Sequence, residues 1–359
     1  MPSSENTSAP ASDQQVSDPR LAFLLNWIAT LSTYSLQTAT VRPASSDASF
    51  RRYFRIDDAK GQSYILMDAP PPQEDVRPFI QIAKLLAETG VTVPSILASD
   101  IEQGFLLLTD LGTVMYSHIL GQENTHENAQ GTAQKLYMDA IDSLIQIQSH
   151  SQVDVLPEYD RAMLQRELQI FPDWYLNKHL GVTLTEVQQA SLEKVFEQIL
   201  ANVMAQPQVY VHRDYHSRNL MVMQEGNPGI IDFQGAMYGP VTYDIVSLLR
   251  DAYIEWDEEQ VLDWAIRYWE RARHAGLPVS TDIDSFYRDF EFMGLQRHLK
   301  ILGIFSRLAY RDGKHNYLAD LPLVLAYVRK TAQRYNTLIP LLRLLDELED
   351  KVPQVGYTF

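Results

Sequence analysis

The chain has no cysteine among its 359 residues. That excludes disulfides, thiolate metal sites and a cysteine nucleophile at once. No apolar run approaches the roughly 18–20 residues that cross a bilayer, so no membrane-spanning helix is expected. Basic residues are outnumbered, 30 Lys and Arg against 46 Asp and Glu, for a net charge of −16. Such a surface repels a phosphate backbone, and nucleic acid is not expected as a partner without a local basic groove. The first 19 residues, MPSSENTSAPASDQQVSDP, lack both the basic start and the apolar stretch of a signal peptide. They read as a disordered leader on a cytoplasmic protein. What the chain does have is core-forming material: 45% of its residues are hydrophobic and 21% charged, which suits a folded protein with two domains or one large bilobal one.

Apolar residues at helical spacing predict an opening helix over 20–36. From residue 20 to 112 the texture is mixed. Strands are expected at Ser49–Ile56, Tyr64–Met67 and Gly104–Leu108. A helix from Pro78 to Thr89 is punctuated by Pro78 in its first turn and Gly90 after its end. From 113 to 359 the pattern is mostly helical, with helices near 132–149, 160–178, 185–204, 241–253, 258–274, 283–307 and 331–348. Short strands interrupt them only at Val209–Val211, Leu220–Met223 and Gly229–Ile231. A small sheet-containing lobe (20–112) followed by a large helical lobe (113–359) is an α+β, bilobal arrangement, in which small molecules commonly bind between lobes.

The informative segment is Val211-His212-Arg213-Asp214-Tyr215-His216-Ser217-Arg218-Asn219, followed by Ile230-Ile231-Asp232-Phe233. Asp214, Asn219 and Asp232 each follow a strand signal. Any one alone would be read as a turn residue; three together at this spacing point to a site. Asp214 suits the acceptance of a hydroxyl proton, while Asn219 and Asp232 offer hard oxygen donors that suit Mg²⁺ on phosphate.

The pattern H-x-D-x4-N, with an apolar-apolar-Asp-Phe 13 residues after the Asn, resembles the catalytic loop and metal-binding Asp of kinase-like phosphotransferases. The forms HRDYHSRN and IIDFQ look most like the aminoglycoside phosphotransferase and sugar/choline kinase branch. The resemblance implies a protein-kinase-like fold with ATP and Mg²⁺ as cofactors; a monomer is expected. It implies Asp214 as the catalytic residue, Asn219 and Asp232 as metal ligands, His212 as a scaffold residue of the loop, and Asp244 as its support from the following helix. Ser46, Asp47 and Ser49 stand where the family has a glycine-rich phosphate loop, and Leu108 and Asp110 fall at its hinge.

Met67 stands where the phosphate-binding Lys is expected. Strand alternation puts Arg52 on the face of Phe50, Phe54 and Ile56, where it either replaces that cation at the nucleotide or pairs with an acidic residue such as Glu74.

Further stretches (MDAPP after the strand at Tyr64–Met67, DFQGA, GPVTYD and GLQRHLKILG) resemble a subfamily of amino-sugar 1-kinases of peptidoglycan recycling. That likeness implies phosphorylation of the anomeric hydroxyl of N-acetylmuramate and N-acetylglucosamine. Arg213, His216, Gln234, Arg250, Tyr253, Gln296 and Arg297 are the candidates for substrate contact, since aromatic faces suit sugar C–H surfaces and Arg suits a carboxylate. An aminoglycoside or choline-type phosphotransferase, or a nucleotide-binding pseudokinase, remains open at this point.

Overall fold

The computed structural model describes residues 18–46, 50–122 and 129–348. Its chain separates into two compact units, Met1–Val76 with Ser95–Asp110, and Arg77–Pro94 with Leu111–Phe359.

The first unit opens with α1 (Pro19–Ala29). Pro19 occupies its first turn, and the Asp18 side chain accepts the N–H of Leu21 at 3.0 Å, which satisfies an otherwise orphaned helix donor. The leader predicted over 1–19 therefore ends sooner; residues 1–17 lie outside the described residues. The helix is also shorter than predicted, and two short 3-10 turns (Ser32–Tyr34 and Thr38–Thr40) follow it. Five strands, β1 (Arg42–Ser46), β2 (Arg52–Asp57), β3 (Ser63–Asp68), β4 (Ile96–Asp100) and β5 (Phe105–Thr109), form an antiparallel sheet in the order β1-β2-β3-β5-β4. Leu24 and Ile28 of α1 pack on Ile56, Tyr64, Leu66, Phe105 and Leu107. Strand β1 reads Arg-Pro-Ala-Ser-Ser and gives no apolar alternation; Pro43 is tolerated because β1 is an edge strand.

The second unit begins with α2 (Arg77–Glu88), predicted as part of the small lobe. Its own contacts explain the difference. Phe79 stacks obliquely on Phe233 with ring centroids 4.8 Å apart, Gln146 donates to the Thr89 carbonyl at 2.6 Å, and Thr92 bridges to Gly229. Then come α3 (Tyr116–Gln122), α4 (Ala129–Ser149), α5 (Arg161–Ile170) and α6 (Glu186–Ala205). Between α5 and α6 the chain continues as a π-helix, Phe171–His179; Pro172 has no N–H to give an α-helical ladder. Strands β6 (Gln208–Val211) and β9 (Met237–Pro240) pair with each other, as do β7 (Leu220–Met221) and β8 (Gly229–Ile230). The remaining helices are α7 (Tyr243–Leu249), α8 (Glu258–His274), α9 (Ile283–Asp312), α10 (Leu321–Arg334) and α11 (Ile339–Leu348). The single helix predicted over 331–348 is two, because Tyr335 is extended and Pro340 starts a fresh first turn. No helix of the described residues is long and apolar enough to cross a membrane.

Helix α9 is the long strut of this unit, and most of its length is buried. At Gly303 a Cβ would lie 2.5 Å from the backbone of Ile170, so only glycine lets α9 approach the end of α5 this closely.

Candidate active site

Two loops bring the candidate residues together. The first runs from the end of β6 to β7, the second from β8 to β9. The β7–β8 ladder pairs Leu220 with Ile230, and Ile231 N–H continues it to the Asn219 carbonyl at 3.1 Å. That register brings Asn219 beside Asp232. Asn219 Nδ2 donates to the Asp214 carbonyl at 3.0 Å and lies 3.5 Å from Asp232 Oδ2. The amide N–H groups are thus turned to protein, and Asn219 Oδ1 with the Asp232 carboxylate forms the oxygen donor set. Gln234 Nε2 donates to Asp232 Oδ1 at 2.6 Å. Among the described residues no three His, Asp or Glu side chains gather as a metal cage. Two hard oxygen ligands from the protein, with phosphate and water completing the shell, is a donor pattern that fits Mg²⁺.

Both loops contain a residue in the left-handed region, Arg213 at φ 76° and Asp232 at φ 63°. Such conformations cost about 1–2 kcal/mol outside glycine and persist where surrounding contacts impose them. At Arg213 the imposing contact is Asp244 at the start of α7. Its carboxylate accepts the His212 N–H at 2.6 Å and the Arg213 N–H at 2.9 Å. His212 is buried; its Nε2 meets the Ile231 carbonyl at 3.0 Å and its Nδ1 accepts the Asp214 N–H at 3.2 Å. Burial lowers the His212 pKa, so the ring is the neutral acceptor that this bond requires. Further along, Asp251 accepts both the N–H and the hydroxyl of Ser217, at 3.1 and 2.5 Å. Asp244 at the start of α7 and Asp251 just beyond its end thus hold the loop between β6 and β7 from both sides.

A buried ionic cluster lies alongside. Glu167 of α5 pairs with Arg213 at 2.5 Å and with Lys300 of α9 at 2.9 Å, and it also accepts from Tyr159 and Gln296. Burial pushes the Glu167 carboxyl up, but Lys300 and Arg213 outweigh it and hold it below the usual range. Lys300 also donates to Tyr243 at 3.0 Å. Asp214 is exposed at the surface of this loop. Loss of water around it pushes its carboxyl up, and the cations that face it, Lys300 foremost and Arg297 with it, bring the net below the ordinary value. Asp214 is therefore a carboxylate at neutral pH.

The other predicted residues separate into three groups. Gln234, His216 and Tyr253 are at the site: the rings of His216 and Tyr253 meet edge to face at 5.4 Å, and the Arg218 guanidinium lies 3.5 Å over Tyr253. Arg297, buried on α9, contributes to the electrostatics of Asp214. Arg250 and Gln296 are engaged in the interior. Arg250 is buried against Glu258, Glu291, Tyr287 and Thr331, so its guanidinium is spent on an interhelical network and not on a ligand. Gln296 joins the Glu167 cluster.

In the first unit, Arg52 pairs with buried Asp68 and with Asp18, not with Glu74. Asp110 pairs with Arg55 at 2.5 Å and accepts from Ser63 at 2.7 Å, bracing the end of β5 where Leu108 sits. Ser46 ends β1, while Asp47 and Ser49 lie outside the described residues. Sequence reasoning missed Glu167, Lys300 and the role of Asp251. Glu167 has no motif around it; Lys300 had a signal, a cation inside a helix whose neighbours are apolar.

Residues 40–277 match the family described as phosphotransferase enzyme family. The chain is 47% identical over 338 residues to the N-acetylmuramate/N-acetylglucosamine kinase of Neisseria meningitidis serogroup B, covering 94% of this chain and 98% of that one. It is 48% identical over 306 residues to the protein of the same name from Pseudomonas putida, covering 85% and 87%. Among solved structures it is similar to choline kinase LicA from Streptococcus pneumoniae, with a TM-score of 0.60 at 12% identity over 86% of this chain and 99% of that chain; this likeness is one of fold alone.

Proposed function

The chain belongs to the phosphotransferase enzyme family, and from that premise we propose that it is the ATP- and Mg²⁺-dependent kinase that phosphorylates the anomeric hydroxyl of N-acetylmuramate and N-acetylglucosamine. That it is a kinase rests on the family and on the names of its relatives. The single observation carrying the mechanism is the convergence of Asp214, Asn219 and Asp232 on two loops joined by one short ladder.

Phosphoryl transfer asks a protein mainly to orient a hydroxyl, neutralise phosphate oxygens and keep reactants in line. Asp214 accepts the hydrogen bond of the O1 hydroxyl and takes its proton as O1 bonds to the γ-phosphorus and the bond to the β–γ bridging oxygen breaks, releasing ADP. Its depressed pKa keeps it ionised for that role. Asn219 and Asp232 would hold Mg²⁺ by their side-chain oxygens, and the bound ion would offset the charge of the phosphate oxygens. Asp244 and Asp251 fix the loop so that Asp214 does not wander from its place. Leu108, at the end of β5, is the proposed nucleotide contact of the first unit, and Ser46 with the neighbouring Asp47 and Ser49 the proposed phosphate contact. Gln234 and Tyr253 are proposed to touch the sugar.

The test is regiochemical. Both free sugars should yield a product whose phosphorus couples to the anomeric proton in ³¹P NMR. Their 1-O-methyl glycosides should not react at all, because the methyl group removes both proton and nucleophile. Phosphate on O6 would overturn the assignment of position, and activity confined to aminoglycosides or choline would overturn the assignment of substrate.

A further inference from the structure

Helix α9 sends four polar side chains into the interior in quick succession, and three of them have partners in the protein. Gln296 donates to Glu167, His298 Nε2 meets the Arg250 carbonyl at 3.1 Å, and Lys300 pairs with Glu167 and Tyr243. Arg297 is the exception. Its residue is 4% exposed, yet its Nε and Nη1 are buried with no hydrogen-bond partner. A guanidinium removed from water with N–H donors left unpaired costs several kcal/mol, and nothing on its own helix repays that.

Its surroundings are those of the active site. Arg297 acts electrostatically on Asp214, His216 and Tyr253, and the last two rings pack on each other under the guanidinium of Arg218. We propose that Arg297 forms a carboxylate-binding subsite for the acceptor sugar, engaging the lactyl carboxylate of N-acetylmuramate through its unpartnered N–H groups. This rests on the substrate reading given above. The two sugars differ by the lactyl ether on O3, two ring carbons from the anomeric centre. A pyranose presenting O1 to Asp214 therefore carries that carboxylate into the neighbourhood Arg297 occupies. A planar fork of donors matches a carboxylate in a way a lysine would not, and Arg218 over Tyr253 adds a second positive charge at the exposed end of the same patch. N-acetylglucosamine would bind the rest of the site and leave these N–H groups unpaired.

The test compares kcat/KM for the two sugars. In Arg297→Gln the preference for N-acetylmuramate over N-acetylglucosamine should fall about 10- to 100-fold, the range for hydrogen bonds to a charged group, and Arg297→Lys should recover only part of it. The unmodified enzyme should show the same loss between N-acetylmuramate and its methyl ester, a comparison that does not depend on any variant folding. Equal losses on both sugars, or an ester as good as the acid, would overturn the subsite and assign Arg297 to Asp214 or the transferred phosphate. If the unmodified enzyme phosphorylated neither sugar, the substrate reading itself would fall and take this inference with it, an outcome visible before any variant is made.

Discussion

Asp244 holds Arg213 by its backbone: the carboxylate accepts the Arg213 N–H at 2.9 Å, at a residue whose φ of 76° is left-handed. The second oxygen takes the His212 N–H, so a single side chain sets the direction in which Asp214 leaves β6.

This pairing has opposite consequences for stability and activity. Burial pushes the Asp244 carboxyl up from 3.8 to about 6. A raised folded-state pKa means the fold binds the proton more tightly than the unfolded chain does. The stabilisation is fully present below pH 4 and is lost as pH rises towards 6, by about 3 kcal/mol. Measured as the stability of the native protein minus that of Asp244→Asn, the difference should decline across that window and stay flat above it. Activity should run the other way, because a protonated carboxyl no longer offers two full acceptors to the loop. A stability difference independent of pH would refute the assignment.

Glu167 joins two cations from different elements. In Glu167→Gln, Arg213 and Lys300 face each other in the interior without their shared counter-charge, and breaking a buried pair of this kind costs about 3–5 kcal/mol. Adding Lys300→Met should restore part of the loss, since one of the stranded charges is then gone. Denaturant midpoints of the two single variants and the double variant read this coupling directly; strict additivity would mean the cluster is not a unit.

How much of this was legible in the sequence follows from where the constraints are local. The loop from His212 to Asn219 and the Asp232 turn announce themselves because residues of a chemical kind recur at short fixed spacings beside strands. Helix α8 was readable to its ends, 258–274, where the structure adds Asp257 as its cap. Strand β1 was not, since an edge strand of Arg, Pro, Ala and Ser carries no apolar alternation. Nor could the partners of Arg250 and Arg52 be read. Glu291 lies 41 residues from Arg250, and Asp18 sits 34 residues before Arg52, in the stretch that reads as a leader. Membership of the ionic cluster is decided by helix packing, with Glu167 and Lys300 on α5 and α9 far apart in the chain.

Arg52 provides a direct choice between two roles. Its guanidinium pairs with Asp68, which is fully buried and shared with Arg20 at 2.8 Å. Arg52→Ala should lower stability by about 1–3 kcal/mol through the weakened Asp68 pairing, while the KM for ATP stays within roughly twofold. A large rise in that KM with an unchanged melting temperature would instead give Arg52 the phosphate-binding role of the Lys that Met67 displaces.

Asp214 and Asp232 should fail in different ways, and the difference tests the mechanism itself. Asp232 sits at φ 63°, so Asp232→Asn is the informative change: Asn tolerates that backbone, whereas Ala would add strain to the result. Replacing one carboxylate oxygen by NH₂ weakens the oxygen donor set shared with Asn219, so turnover should nearly vanish and the Mg²⁺ needed for half-maximal activity should rise. Asp214→Asn leaves that donor set in place and removes only the group proposed to take the hydroxyl proton. Its kcat should drop about 10²–10⁴-fold, with the KM for ATP and the Mg²⁺ requirement close to those of the native enzyme. Circular dichroism and melting curves on both variants separate these effects from unfolding. If Asp214→Asn changed the metal requirement as much as Asp232→Asn did, the division of labour between the two carboxylates would be wrong.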